Sequence, residues 1–505
     1  MADSSKMDLA PIVCVCLCCH KVSTGSYHHR STMTESQEKD EEFVSSGSVI
    51  RQVLFGLVVA FSTLMTGFTS AWPVVLPKLQ ENPRSFNVTD QDVAWLVSVQ
   101  GIVGMFTSLL SGHMVEYFGP KRLLLINLFP TFGLWLLMAF TSFLSILYLC
   151  RIGLCISTYL FKSFFQAYIA ELCQPKIRGA IAALPELIIS VGVLIIYVLA
   201  NFFSYEVVTA MCAVPFLPLF FLAIFIPESP YWLMRRNRID DVKASLQRLR
   251  GKSDDVNNEL RRLTRTSKVQ VSAWSQVHEL RKRENILPVL LVLSILSLRE
   301  ISGQTALFSY SVYMFRQAGV ELDAFLCTVL LGCVRVVTTI IAVPALDKAG
   351  RRPFLIGSTV VCGTSQLIIG FTLLMEMPGA SWVPLAGLLI YVAAFGLGQA
   401  GIPWILMGEL LPTPVRSVGS SVITFSYCLL MFIVNYVFFW LLENLRLGGT
   451  LCLFAFANVI LAIISFFWLP ETKERSLEDL EVAFAKRKRL DQDDQESNQE
   501  VTAEL

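Results

Sequence analysis

The apolar positions of this chain are grouped into long blocks separated by short polar turns, with neither the alternation of a strand nor the half-polar period of a water-exposed helix. A hydrocarbon core about 30 Å thick is crossed by roughly 20 residues of helix. About twelve blocks reach that length, near residues 50–73, 93–115, 123–143, 145–170, 180–203, 207–226, 286–316, 322–346, 354–375, 382–411, 417–442 and 447–469. They predict an all-α membrane protein with twelve transmembrane helices. Composition agrees: 54% apolar and 16% charged residues over 505 positions, with a mean hydropathy of +0.58, exclude a set of water-soluble domains.

Charge fixes the expected orientation, because Lys and Arg collect in cytoplasmic loops. With both termini inside, the inner loops hold Lys121, Arg122, Lys176, Arg178, Lys348, Arg351, Arg352, Arg416 and a basic stretch at 235–283, while the outer loops hold little beyond Lys78, Arg84, Arg316 and Arg446. The N-glycosylation sequon at Asn87-Val88-Thr89 falls in the first outer loop. Localisation is therefore expected in a membrane as a multi-pass protein, the plasma membrane, with both termini cytoplasmic. The net charge of +1 gives no reason to expect a nucleic-acid partner. The expected partners are the lipid bilayer and a small-molecule solute.

The sequence also repeats itself. Glu171 to Arg178 (ELCQPKIRG) returns as Glu409 to Arg416 (ELLPTPVRSVG), an offset of 238 residues. PESPYWL at 227–233 pairs with PETKERSL at 470–477, and GHMVEYFGPKR at 112–122 pairs with PALDKAGRRPF at 344–354, at nearly the same offset. The organisation expected is a cytoplasmic tail (1–49), a six-helix half (50–226), a cytoplasmic linker (227–285) with short amphipathic helices, a second six-helix half (286–469) and a second tail (470–505). The first tail carries Cys14, Cys16, Cys18 and Cys19 ahead of His20, a spacing that fits no zinc pattern and suits an inert or acylated tail. No nucleophile triad, metal-ligand cluster or phosphate loop lies in the core, so no enzyme activity, metal or cofactor is expected.

These motifs resemble the sugar-porter branch of the major facilitator superfamily over roughly residues 50–475. The resemblance rests on the loop at 112–122 and its copy DKAGRRP at 347–353, Arg151 ahead of Glu171, PESP, GQAGIPWILMGEL at 398–410 and PETKER; GFTSAW at 67–72 is similar to insect trehalose-transporter relatives. It implies two six-helix halves related by an axis along the membrane normal, and facilitated diffusion of a sugar or small polar solute by alternating access. It also implies an inner gate, in which Glu116, Arg122, Arg151, Glu171, Arg178, Glu228, Asp347, Arg351, Arg352, Glu409, Arg416 and Glu471 hold the halves together by opposite charge. Proton coupling is not favoured, since Met65 stands where proton-linked relatives carry Asp.

The central site departs from that resemblance. On the seventh span the family's QQ-x-SG-x-N reads Arg299-Glu300-Ile301-Ser302-Gly303-Gln304-Thr305, the fifth-span Gln is matched by Glu186, and the eighth-span Asn by Arg335. Trp404 is kept, Tyr427 stands in place of an Asn, and Lys162 appears in the fourth span. The candidate substrate-binding set is therefore Lys162, Glu186, Arg299, Glu300, Gln304, Thr305, Arg335, Trp404 and Tyr427. Intramembrane charges face a bundle interior or an aqueous cavity, and they require partners. The matched positions suggest Glu186 with Arg299 and Arg335 with Glu300, leaving Lys162 over; such a pocket still suits a polyol. Without that pairing, three cations against two anions suit an organic anion or a zwitterion. A non-transporting solute receptor is the remaining alternative.

Overall fold

A computed structural model of the chain describes residues 46–81, 87–250, 256, 259–260, 278–377, 379–412 and 415–472. The amino-terminal cysteine group and the tail after Thr472 lie outside the described residues. Every regular element described is helical, as lipid requires of a spanning chain that must pair its own backbone groups. Eleven helices are long and apolar enough to cross a membrane. The last, Val418–Trp468, contains Arg446 at φ 55° and ψ 173°, so it is two spans joined at a sharp corner, and the described residues form twelve spans.

Local chemistry starts and stops these helices. Thr89 and Asp92 form a reciprocal capping box at the start of the second span, Asp90–Phe118. Gly119 at φ 85° ends that span, and Pro120 begins the third, Pro120–Phe140. The corner recurs in the second half: Gly350 at φ 93° separates the eighth span, Ala324–Ala349, from the ninth, Arg351–Leu374. Large apolar side chains such as Phe106, Leu110, Phe129, Leu149, Ile368 and Phe456 are exposed, and together they form the surface presented to lipid. In the linker, Ile239–Arg250 packs Val242 and Leu246 against Trp232 and Leu233, which accounts for the expected amphipathic helix.

Four spans are broken part-way along their length, the sixth into Tyr205–Met211 and Phe216–Ile224. The first divides into Ser46–Phe61, Leu64–Ala71, a tight turn at Trp72–Val75 and Leu76–Glu81. The seventh divides into Arg283–Ile301, Gln304–Ser309 and Ser311–Gln317, and the tenth into Val383–Leu397 and Ile402–Leu410. A chain of buried side-chain amides ties two of these breaks together. Gln399 donates to Asn458 (2.9 Å), Asn458 to Gln366 (2.8 Å), and Gln366 to the carbonyl of Ser302 (3.0 Å). The gap in the seventh span is thereby fixed to its own half.

Candidate substrate site and gates

The loops at 119–121 and 350–352 mark one end of the bundle, here the charged end; Asn87 lies at the opposite end, where its side chain is exposed. Fourth-span positions report depth. At 1.5 Å per residue, Lys162 lies about 15 Å from the charged end of its helix, Leu144–Leu172, and Arg151 lies about 30 Å from it.

Arg151 therefore does not belong with the inner-gate charges. It is fully buried toward the opposite end, where it donates to the carbonyls of Thr69 (2.8 Å) and Leu96 (3.0 Å) and to the side chain of Gln100 (3.2 Å), with its guanidinium 5.1 Å from the Trp72 ring. The physical reason is local. Within a helix the Thr69 carbonyl would accept from the N–H four residues on, but residue 73 is proline and has none. Arg151 supplies the missing donor.

The bonds described for the other gate residues lie within their own half. Glu228 accepts from the backbone N–H of Lys121 (2.9 Å) and Ser229 (3.1 Å), and Glu471 accepts from those of Arg351 (3.0 Å) and Arg352 (3.2 Å). Each repeat of the Pro-Glu motif thus caps the helix that follows a positive-φ glycine, a placement that the helix dipole favours for a carboxylate. Burial holds the Glu228 carboxyl above its ordinary range, opposed by those N–H groups and by Lys121. Glu171 accepts from the Ser229 hydroxyl, Arg351 pairs with Glu409 at 3.3 Å, Arg352 donates to the Phe466 carbonyl (2.6 Å), and Arg416 donates to the Leu411 carbonyl. Glu116 offers its carbonyl to Trp232 and Arg236, and neither its carboxylate nor Arg122 makes an ion pair among the described residues. The side chains of Arg178 and Asp347 lie outside the described residues. Removing the caps with Glu471→Ala or Glu228→Ala is expected to cost about 1 kcal/mol each. Melting of the detergent-purified protein measures it, and an unchanged midpoint for both variants rules the capping role out.

The opposite end is closed across the two halves. Arg316 of the seventh span pairs with Glu81 of the first, Tyr313 donates to Gln80, and Tyr197 donates to the Phe308 carbonyl (3.2 Å). Lys78 lies 4.8 Å from the Phe325 ring, and Trp95 packs on Tyr436 with ring centroids 5.0 Å apart. Of these residues the sequence marked Lys78 and Arg316 as outer-loop cations, and the ion pair here belongs to Arg316. Its partner sits 235 positions away, beyond any helical period.

Between the two ends lies the charged cluster. Glu186 faces Arg335 at 3.8 Å, and Arg335 also donates to Ser190 (3.3 Å) and stands 4.9 Å from the Phe308 ring. The expected partner of Glu186 was Arg299, so the pairing differs: spacing along one helix does not fix the register between two. The Glu186 side chain is 44% exposed although it lies mid-span. Arg299 is buried with its guanidinium 5.3 Å from the Phe395 ring, and its Nε and one Nη find no acceptor. Glu300 is fully buried, and neither of its oxygens meets a donor in full hydrogen-bonding geometry, although the Thr305 hydroxyl is close enough to act on it; the side-chain oxygen of Gln304 has no donor either. Thr305 follows on the same short helix. Lys162 points its ammonium at three rings, 4.6 Å from Trp404, 5.9 Å from Tyr427 and 6.0 Å from Tyr159. Tyr159, Ser190, Phe308 and Phe395 are additions to the expected set. Tyr159 and Ser190 stand one helical turn from Lys162 and Glu186, and that spacing was the available signal.

The family described as Sugar (and other) transporter matches residues 26–484. The chain belongs to this family. It is similar to the facilitated trehalose transporter Tret1 of Culex quinquefasciatus, at 31% identity over 442 residues, covering 85% of this chain and 85% of the relative. It is also similar to Tret1 of Aedes aegypti, 31% identical over 439 residues, where it spans 85% of itself and about half (54%) of the relative. Its fold is that of the xylose transporter XylE from E. coli in an inward open conformation (TM-score 0.70, 20% identity, 85% of this chain and 98% of that one). The proton:xylose symporter XylE bound to 6-bromo-6-deoxy-D-glucose aligns with a TM-score of 0.67 at 22% identity, over 87% of this chain and 100% of that one. The twelve-helix major facilitator fold and the multi-pass membrane location follow, and the family is one of transporters, not of enzymes.

Proposed function

We propose that the chain carries a sugar or a similarly small polar solute across the plasma membrane by facilitated diffusion, its two halves rocking about a site between Lys162, Glu186, Arg299, Glu300, Gln304, Thr305, Arg335, Trp404 and Tyr427. The observation that carries this reading is the one-sided seal. Among the described residues, contacts at the Asn87 end join the halves, the gate bonds at the charged end each lie within one half, and the half-exposed Glu186 carboxylate lies between. This is the inward-facing half of an alternating-access cycle if the charged end is cytoplasmic, with both termini inside and Asn87 glycosylated outside. On this reading the charged residues of the gate lock the halves only in the opposite state.

The test is counterflow of labelled glucose, trehalose and related polar solutes in proteoliposomes of the full chain. Exchange without accumulation under an imposed proton gradient is the expected result, because Met65 is buried at the first-span position where an acid would couple a proton. Net accumulation above the outside concentration under that proton gradient, in vesicles that start without solute, overturns the facilitated mechanism. The seal makes its own prediction. Glu81→Gln removes the ionic part of an exposed pair worth about 0–1 kcal/mol, which raises the outward-facing population by up to about fivefold. Distance distributions between spin labels at Asp90 and Glu321 read that shift, and an unchanged distribution excludes the latch.

A further inference from the structure

Resting on the transport reading above, we infer that the central site of this chain is built for a polyhydroxy carboxylate, a sugar-acid type of solute, in which one carboxylate meets Lys162 and Arg299 and the hydroxyls meet Glu300 and Gln304. Charge is the first ground. Glu186 and Arg335 face each other at 3.8 Å and cancel. Lys162, Arg299 and Glu300 remain, within electrostatic reach of one another, and they sum to one positive charge that a monoanion balances. Lys162 lies over aromatic rings and forms no ion pair among the described residues.

Hydrogen bonding is the second ground. Buried polar atoms are nearly always paired, and leaving one unpaired costs about 1–3 kcal/mol, more when it is charged. This cluster leaves two Arg299 donors without an acceptor and three oxygens, both of Glu300 and one of Gln304, without a donor in full hydrogen-bonding geometry, the Thr305 hydroxyl acting on Glu300 from beyond it. A neutral sugar satisfies the oxygens and leaves the cationic excess; a simple carboxylate does the reverse. A molecule bearing both a carboxylate and hydroxyls completes the set, and the Trp404 ring beside Lys162 offers a face for its carbon skeleton.

The experiment uses the full chain in detergent and in proteoliposomes, with D-gluconate, D-glucose, trehalose, acetate and alanine as probes. D-gluconate is expected to protect against thermal unfolding at a concentration at least about tenfold lower than any other probe, as expected where buried polar groups reject analogues that leave them unpaired. Its net uptake into vesicles that start without solute is expected to respond to an imposed membrane potential, because one charge crosses with each molecule, whereas one-for-one counterflow is electroneutral. Lys162→Gln is expected to erase the preference for gluconate over glucose, and Lys162→Arg to restore it; Lys162 is not fully buried, so this pair tests the site even where Arg299→Gln fails to fold. Equal or better protection by glucose or trehalose, no protection by any probe, or an unchanged preference in Lys162→Gln overturns the inference. Protection by gluconate without counterflow leaves the site standing and removes the carrier reading; counterflow of glucose without a response to gluconate does the opposite.

Discussion

Gly303→Ala is expected to abolish counterflow and to lower stability by several kcal/mol. Gly303 stands in the break of the seventh span at φ 78°, a left-handed conformation that costs an L-residue roughly 1–2 kcal/mol. A Cβ built there lies 2.2 Å from two atoms of the Phe454 ring, so the side chain or the helix must move. Overpacking of this kind costs about 1–3 kcal/mol. The break also sets the direction of Arg299 and Glu300, which immediately precede it, and of Gln304 and Thr305, which follow. Phe454→Leu in the same chain is expected to recover the steric part and not the backbone part, leaving roughly 1–2 kcal/mol. Gly401 provides the contrast, since it sits in the break of the tenth span at φ −104° with open space around its Cβ position. Gly401→Ala is expected to be nearly silent. Thermal melting with counterflow measures all three variants, and equal losses at both glycines would show that flexibility, not fit, is what these positions require.

Arg151→Met is expected to be the other severe change, with a loss of about 3 kcal/mol or more. Hydrogen bonds from a charged group contribute about 1.5–3 kcal/mol each, and Arg151 makes three, two of them to carbonyls on the first and second spans. Removing the buried charge offsets part of that loss. The Thr69 carbonyl is the costly remainder, because Pro73 leaves it no backbone donor. Arg151→Lys is expected to recover little, since a compact ammonium cannot span the Leu96 and Thr69 oxygens as a planar fork does. Pro73→Ala returns an N–H to the first span, so it is expected to soften the Arg151→Met loss in a double-mutant cycle. Additive effects would show that the two residues do not share that carbonyl. A melting midpoint for Arg151→Met equal to that of the native chain would refute the role outright.

These effects also separate two kinds of charged residue that look alike in the sequence. Glu228 and Glu471 were expected across the seam between the halves, yet they sit over the N–H groups of the spans that begin at Pro120 and Arg351. A capping carboxylate is local in space and remote in sequence, 107 and 120 positions from the backbone it serves. The repeat made both visible as a pair; only the folded corner at Gly119 and Gly350 showed what they hold.

The spans themselves were legible because hydrocarbon thickness converts directly into a length of apolar helix, and even the eleventh and twelfth, which meet at the non-helical corner at Arg446 with no loop between them, were separable by the charged stretch there. The chemical content of the site was legible too, since a charge inside an apolar block is visible wherever it falls. What tertiary structure alone decided was the pairing: Glu186 with Arg335, Lys162 among Trp404, Tyr427 and Tyr159, Arg316 with Glu81, and Arg151 at the far end of the bundle from Glu171. Periodicity along one helix determines which residues share its face. The rotation and register of that helix against its neighbours come from packing between spans, at contacts such as Gly67 on the Ile189 carbonyl and Gly101 on Phe432, and no single span carries that information.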